Sequence, residues 1–215
     1  MTSLKLEEII TRPRQCAADW LVIQARDLGR LSKQDNNTTL LVFACLEARN
    51  AIEQLWYELA MVIYGGSMGH EIYEKCRRRR DGFLAEIGDA EPRYRQLSRF
   101  TTIVMDLDRR VPHRGIAWDL GRLKKHWHSL SAYCHAQAHP SPTLEDPKWV
   151  LRGHSLIEEV YLYFEQEMAQ GATAIMQPDN MTPEARMIWE DFADNKIDED
   201  QVRTRLRIVQ PPPRQ

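Results

Sequence analysis

Residues 39–64 read TLLVFACLEARNAIEQLWYELAMVIY, and the spacing within this stretch decides the fold class. Leu41, Ala44, Ala48, Ile52, Leu55, Leu59 and Val62 recur at steps of three and four, which places them on one face of an α-helix. Phe43, Leu46, Tyr57, Met61 and Tyr64 fall on roughly the opposite side. A helix apolar on two sides belongs at the centre of a bundle or in a dimer interface. Its purely apolar run, from Leu40 to Leu46, is followed at once by Glu47 and Arg49. A membrane span needs about 20 apolar residues, so a buried helix is expected here and no membrane contact.

Working outward, Asp35-Asn36-Asn37-Thr38 supplies a turn and cap before this helix, and Gly65-Gly66 ends it. Upstream, Ala17, Trp20, Leu21, Gln24 and Leu28 predict a helix from near Pro13 to Leu31. Downstream, helices are expected over about 68–87, 92–110, 116–138 and 147–170, punctuated by Pro112, Pro140 and Pro142. The stripe of the 116–138 helix is Ile116, Leu120, Leu123, Trp127, Leu130 and Cys134. Residues 171–181 read as a linker. A helical hairpin over 182–210 follows, because Thr182-Pro183 is a strong helix start and Asp198 to Gln201 resembles a capping box. Ile188, Trp189 and Phe192 give the hairpin an apolar side that could dock on a partner. Residues 211–215 form a Pro-rich tail. The expectation is an all-α fold: a bundle of about six helices over 1–170 with a C-terminal helical hairpin.

A chain of 215 residues with a formal net charge of −2 has no global basic field, so any contact with nucleic acid must come from a local patch. The first ten residues carry no secretory signal, and a cytoplasmic location is expected. Cys16, Cys45, Cys76 and Cys134 are far apart and form no C-x-x-C pair, which reads as reduced thiols filling the core. There is no P-loop, G-x-S-x-G or G-x-G-x-x-G. His135 and His139 have a spacing that two metal ligands on a helix could use, but no H-E-x-x-H or E-x-x-H accompanies them, so neither metal nor cofactor is expected.

Three clusters could carry chemistry. His128, Ala132, His135 and His139 line one edge of the 116–138 helix, with His126, Ser131 and Tyr133 close by. Histidine is the natural acid–base group near neutral pH, though half-buried boundary histidines would give the same pattern. Glu47, Asn50 and Gln54 fall on one edge of the 39–64 helix, Arg49 and Glu53 on another. Glu47, Arg49 or Asn50 could orient His128 or His135, or the belt could be a solvated face with an Arg49–Glu53 pair. Arg77, Arg78, Arg79 and Arg80 span a full helical turn. With Lys75, Lys124 and Lys125 they could neutralise phosphates, or they could simply be solvated.

The sequence L-E-A-R-N-A-I-E over 46–53, followed later by L-S-A-Y-C-H over 130–135, resembles divergent members of the HEPN superfamily of helical bundles. The resemblance covers roughly residues 38–140. It implies a helical protein that binds or cleaves RNA, in a toxin or phage-defence setting, and that forms a homodimer. Active members of that superfamily carry Arg-x4–6-His and cleave RNA without metal, and Arg122-x5-His128 has this spacing. Arg49-Asn50 also has the family's arginine-then-polar form, without a histidine at the required distance. What the resemblance implies is that His128 or His135 moves a proton at the ribose 2′-hydroxyl or the leaving oxygen, while Arg122 stabilises charge on the phosphate. A non-enzymatic interaction module or regulatory subunit of a larger complex is the alternative.

Overall fold

A computed structural model describes residues 17–64, 68–79, 81–108, 114–134, 146–172 and 175–209. Among them the α-helices are α1 (Ala18–Asp35), α2 (Thr38–Ile63), α3 (His70–Arg77), α4 (Gly82–Ala90), α5 (Tyr94–Leu107), α6 (Leu120–Cys134), α7 (Pro147–Gln170), α8 (Pro183–Ala193) and α9 (Glu199–Val209). The fold is all-α. Among the described residues the strands are β1 (Arg114–Gly115) and β2 (Gly171–Ala172), paired in parallel, with Arg114 opposite Gly171 and Gly115 opposite Ala172. None of the described helices is long and apolar enough to cross a membrane.

The chain forms two compact units. The first takes in the described residues of Met1–Leu55 and Leu120–Gln166, so it contains α1, most of α2, α6 and most of α7. The second takes in those of Trp56–Asp119 and Glu167–Gln215. These bounds differ from a bundle over 1–170 with a separate hairpin.

In the first unit, α1 ends on Asn36, whose φ of 49° lies in the left-handed region that asparagine tolerates better than most residues. The Asn37 side chain then accepts from the backbone N–H groups of Thr39 (3.0 Å) and Leu40 (3.3 Å), two of the donors a helix start leaves without partners. On α2, Leu41, Ala44, Cys45, Ala48, Ala51, Ile52 and Leu55 are buried. The second apolar side expected for this helix is only partly covered, because Phe43 is exposed and Leu46 half-buried. On α6 the buried residues are Leu123, Trp127, Leu130, Ser131 and Tyr133. Gly153 of α7 lets that helix approach closely. A Cβ there would lie 2.8 Å from the Tyr133 ring and 3.2 Å from Leu41.

In the second unit, the helix expected over 68–87 is broken into α3 and α4. The reason lies at Gly82, where the Cys76 carbonyl occupies the place a Cβ would take, so the chain turns back on itself as only glycine allows. Tyr57, from the last turns of α2, meets Tyr73 of α3 (6.1 Å between ring centroids) and Phe83 of α4 (5.3 Å) edge-on. The stretch expected to open a helix at Ile116 stays non-helical as far as Asp119, and the Ser98 hydroxyl donates to the Ile116 carbonyl at 3.4 Å. The expected linker is tied down where it is described. Met176 N–H donates to Thr101 Oγ1 at 2.9 Å, and the Gln177 amide donates to the carbonyls of Val62 (2.9 Å) and Ile63 (2.7 Å).

The hairpin of α8 and α9 packs on α5 of its own chain. Trp189 (1 % exposed) and Phe192 (9 %) lie in one apolar cluster with Leu97, Phe100, Ile103 and Val202. The Phe100 and Trp189 rings meet at 5.6 Å. The aromatic side expected to dock on a partner is therefore covered internally. Both start signals hold: Thr182 Oγ1 accepts from Ala185 N at 3.3 Å, and Asp198 and Gln201 satisfy each other's backbone N–H at 2.8 and 2.9 Å.

Candidate anion-binding groove

Within the first unit, α6 and α7 leave between them a groove of about 560 Å³. Lys125, His126 and Ser129 enter it from α6, and Arg152, Ser155 and Glu159 from α7. On α7 the contributing positions are three and four apart, and on α6 Ser129 lies three and four positions after the adjacent His126 and Lys125, so each set shares one face of its helix. The opposite face of α6 is held by burial. Trp127, 1 % exposed, also donates its indole N–H to Glu53 at 2.7 Å. Arg49 bonds the same carboxylate oxygen at 2.7 Å and lies 5.0 Å from the Trp127 ring centre. This packing fixes which residues of α6 face outward.

Arg122 is placed one turn before the groove. Its guanidinium stacks 4.1 Å above the Tyr163 ring, and its Nε–H donates to His126 Nε2 at 3.4 Å. Its bonded histidine is thus the one four residues on. Burial chiefly, and the Arg122 charge next, push the His126 pKa below its ordinary value, against an opposing pull from Glu159. Neutral His126, with Nε2 accepting, carries its proton on Nδ1. Neither Lys125 nor Arg152 makes an ion pair with a described residue. Glu159 accepts a bond from the Ser155 hydroxyl at 3.5 Å.

The other expected site residues lie as follows. His128 is exposed beside the Trp127 ring, 5.0 Å away, and hydrogen-bonds to no described residue. His135 and Arg80 lie outside the described residues, as do His139 and Cys16. Glu47 and Asn50 are half-buried on α2, and the Arg49–Glu53 pair reaches Trp127. Arg77, Arg78 and Arg79 are exposed at the end of α3 and just beyond it. Glu74 faces Arg77 at 3.5 Å and Arg78 at 4.0 Å. Lys75 bonds the buried Glu86 at 3.1 Å. Lys124 is half-buried on α6, next to Lys125 of the groove.

Sequence reasoning missed Arg152, Ser155, Glu159 and Ser129. The arginine-to-histidine step of four at Arg122 and His126 was the available signal, since such pairs are neighbours on any helix. Nothing in the sequence of α7 alone distinguishes its groove-facing row from an ordinary solvated face.

A second polar cluster sits in the second unit. Glu86, 6 % exposed, accepts from the Tyr64 hydroxyl at 2.6 Å and from Lys75 at 3.1 Å. The Tyr64 bond, chiefly, holds the Glu86 carboxyl below its usual range, while the same bond pushes the Tyr64 phenol up to about 12. Cys45, Cys76 and Cys134 are free thiols, each raised above the ordinary value mainly by burial. Among the described residues no three His, Cys, Asp or Glu side chains converge as a metal site would require.

No family model matches this chain, and neither a characterised protein nor a solved structure resembles it closely enough to count as a relative.

Proposed function

We propose that this chain is a HEPN-like helical protein that binds RNA through the α6–α7 groove. The observation that carries the reading is the pair of cations in the groove, Lys125 and Arg152, which have no carboxylate partner among the described residues. Phosphate oxygens are the natural complement of such a pair, and Ser129 adds a hydroxyl donor. Arg122 and His126 extend the same face by one turn.

The test is binding of a labelled single-stranded RNA to the full chain at several salt concentrations. Each cation that neutralises a phosphate adds about 0.7 to the slope of log affinity against log salt for a single strand. Lys125→Ala/Arg152→Ala is expected to flatten that slope by roughly twice this amount, with helicity unchanged. A slope that is the same in both proteins sinks the reading.

Metal-independent cleavage is a second reading, and the depressed pKa of His126 favours it. A groove histidine that is neutral near pH 7 can accept the 2′-hydroxyl proton at Nε2 once the ribose displaces the Arg122 donor from it. RNA incubated in chelator with wild type, His126→Ala and His128→Ala/His135→Ala separates the two histidine sets. Intact RNA throughout restricts the function to binding.

A further inference from the structure

Resting on the RNA-binding reading, we infer that the α6–α7 groove is a pocket for one terminal phosphate monoester of an RNA chain, and not a track for continuous backbone. Three features of the groove point this way. The first is extent. A space of about 560 Å³ has the size of a small-molecule pocket, enough for one nucleotide and far from a channel for many.

The second is the sign and position of charge. Lys125 and Arg152 are opposed in the same groove by Glu159. A strand laid through the groove would bring further phosphates towards that carboxylate, whereas a chain end presents only one. A monoester carries a charge of about −1.5 to −2 near neutral pH, against one for a diester. Lys125 and Arg152 supply the two positive charges that such a group calls for.

The third is the number of donors. A terminal phosphate offers three unesterified oxygens. The groove offers the Lys125 ammonium, the Arg152 guanidinium, the Ser129 hydroxyl, and the Nδ1–H of His126, whose Nε2 is taken by Arg122 at 3.4 Å, while the Ser155 hydroxyl is given to Glu159. Leu151, 69 % exposed, and the buried Leu156 also line the groove and supply apolar surface for the ribose or base attached to that phosphate.

The experiment is direct titration of the full chain with one labelled eight-nucleotide RNA in three forms: a 5′-phosphate, a 3′-phosphate, and hydroxyls at both ends. A nucleoside 5′-monophosphate and inorganic phosphate serve as competitors. The expected result is binding at least about tenfold tighter for one phosphorylated form than for the hydroxyl-ended form. That preference should be lost in Arg152→Ala and in Lys125→Ala at unchanged helicity. Equal binding of all three forms overturns the terminal-phosphate inference and leaves RNA binding standing. Binding of none overturns both. A preference that survives Arg152→Ala and Lys125→Ala lies elsewhere on the protein and overturns the assignment to this groove. Competition by the nucleoside monophosphate or inorganic phosphate at the affinity of the phosphorylated RNA makes a free phosphate compound the ligand and overturns the RNA end.

Discussion

The two units treat their charges differently. In the second, basic side chains on and around the hairpin face carboxylates: Arg99 meets Glu199 at 3.1 Å, Arg203 meets Asp106 at 3.2 Å, and Arg205 meets Asp191 at 2.8 Å. In the first, Lys125 and Arg152 face a shared groove without such partners among the described residues. Exposed ion pairs add only about 0–1 kcal/mol each, so the pairing in the second unit is not what holds it together. Its effect is to engage those three arginines, whereas the two groove cations stay open to an anion, and a charge arrangement with little bearing on folding is the one with most bearing on recognition.

If this contrast is right, the second unit should be broken by packing changes and the first should answer to charge. The largest effect is expected for Trp189→Ala. It removes a side chain that is 1 % exposed, at the contact of Phe100 with the hairpin. A loss of about 3–5 kcal/mol in denaturant unfolding is expected for a buried Trp, and a loss below 1 kcal/mol would mean the hairpin is not integral to the unit. Next comes Gly82→Ala. Its new Cβ would meet the Cys76 carbonyl, and the expected loss is roughly 1–3 kcal/mol or more. Wild-type stability would show that α3 and α4 can separate freely.

The third prediction concerns acid. The folded-state pKa of Glu86 lies below the ordinary 4.5, so its contribution is present above that value and is lost as pH falls through the folded one. Wild type should lose stability below about pH 4.5 more steeply than Glu86→Gln, and parallel acid curves would remove Glu86 from the account. The smallest effect is a titration. The His126 ring should titrate below 6.5 by NMR in the free protein, because burial and Arg122 disfavour its charged form. It should titrate higher when end-phosphorylated RNA is bound. An unmoved His126 resonance on binding would separate that ring from the ligand.

Several elements could be read from local pattern alone. The bounds of α7, Pro147–Gln170, follow from the proline that opens it and the glycine after it. The Thr182 cap and the Asp198–Gln201 box are three-residue signals with immediate hydrogen bonds. The break between α3 and α4 was hidden because arginines are good helix formers and the decisive contact, Gly82 with the Cys76 carbonyl, appears only once the turn exists. Burial of Trp189 and Phe192 depends on Phe100, nearly a hundred positions earlier, which no periodicity within the hairpin can reveal. The groove was half legible. Lys125 and His126 stood out as charged and titratable groups, but Arg152 and Ser155 gain their meaning only from lying across from them. Arg122 shows the limit of spacing arguments. The spacing expected for it pointed to His128, whereas the histidine it bonds, with its guanidinium over the Tyr163 ring, is His126 four residues on.

Gln177 has a consequence for the order of events during synthesis. The last carbonyls of α2, at Val62 and Ile63, receive their side-chain donor from a residue 115 and 114 positions later. A ribosome adding about 5–20 residues per second needs roughly 6–23 s to supply it. Throughout that interval the nascent helix must leave its final turn to water, and its end is secured only when most of the chain has emerged.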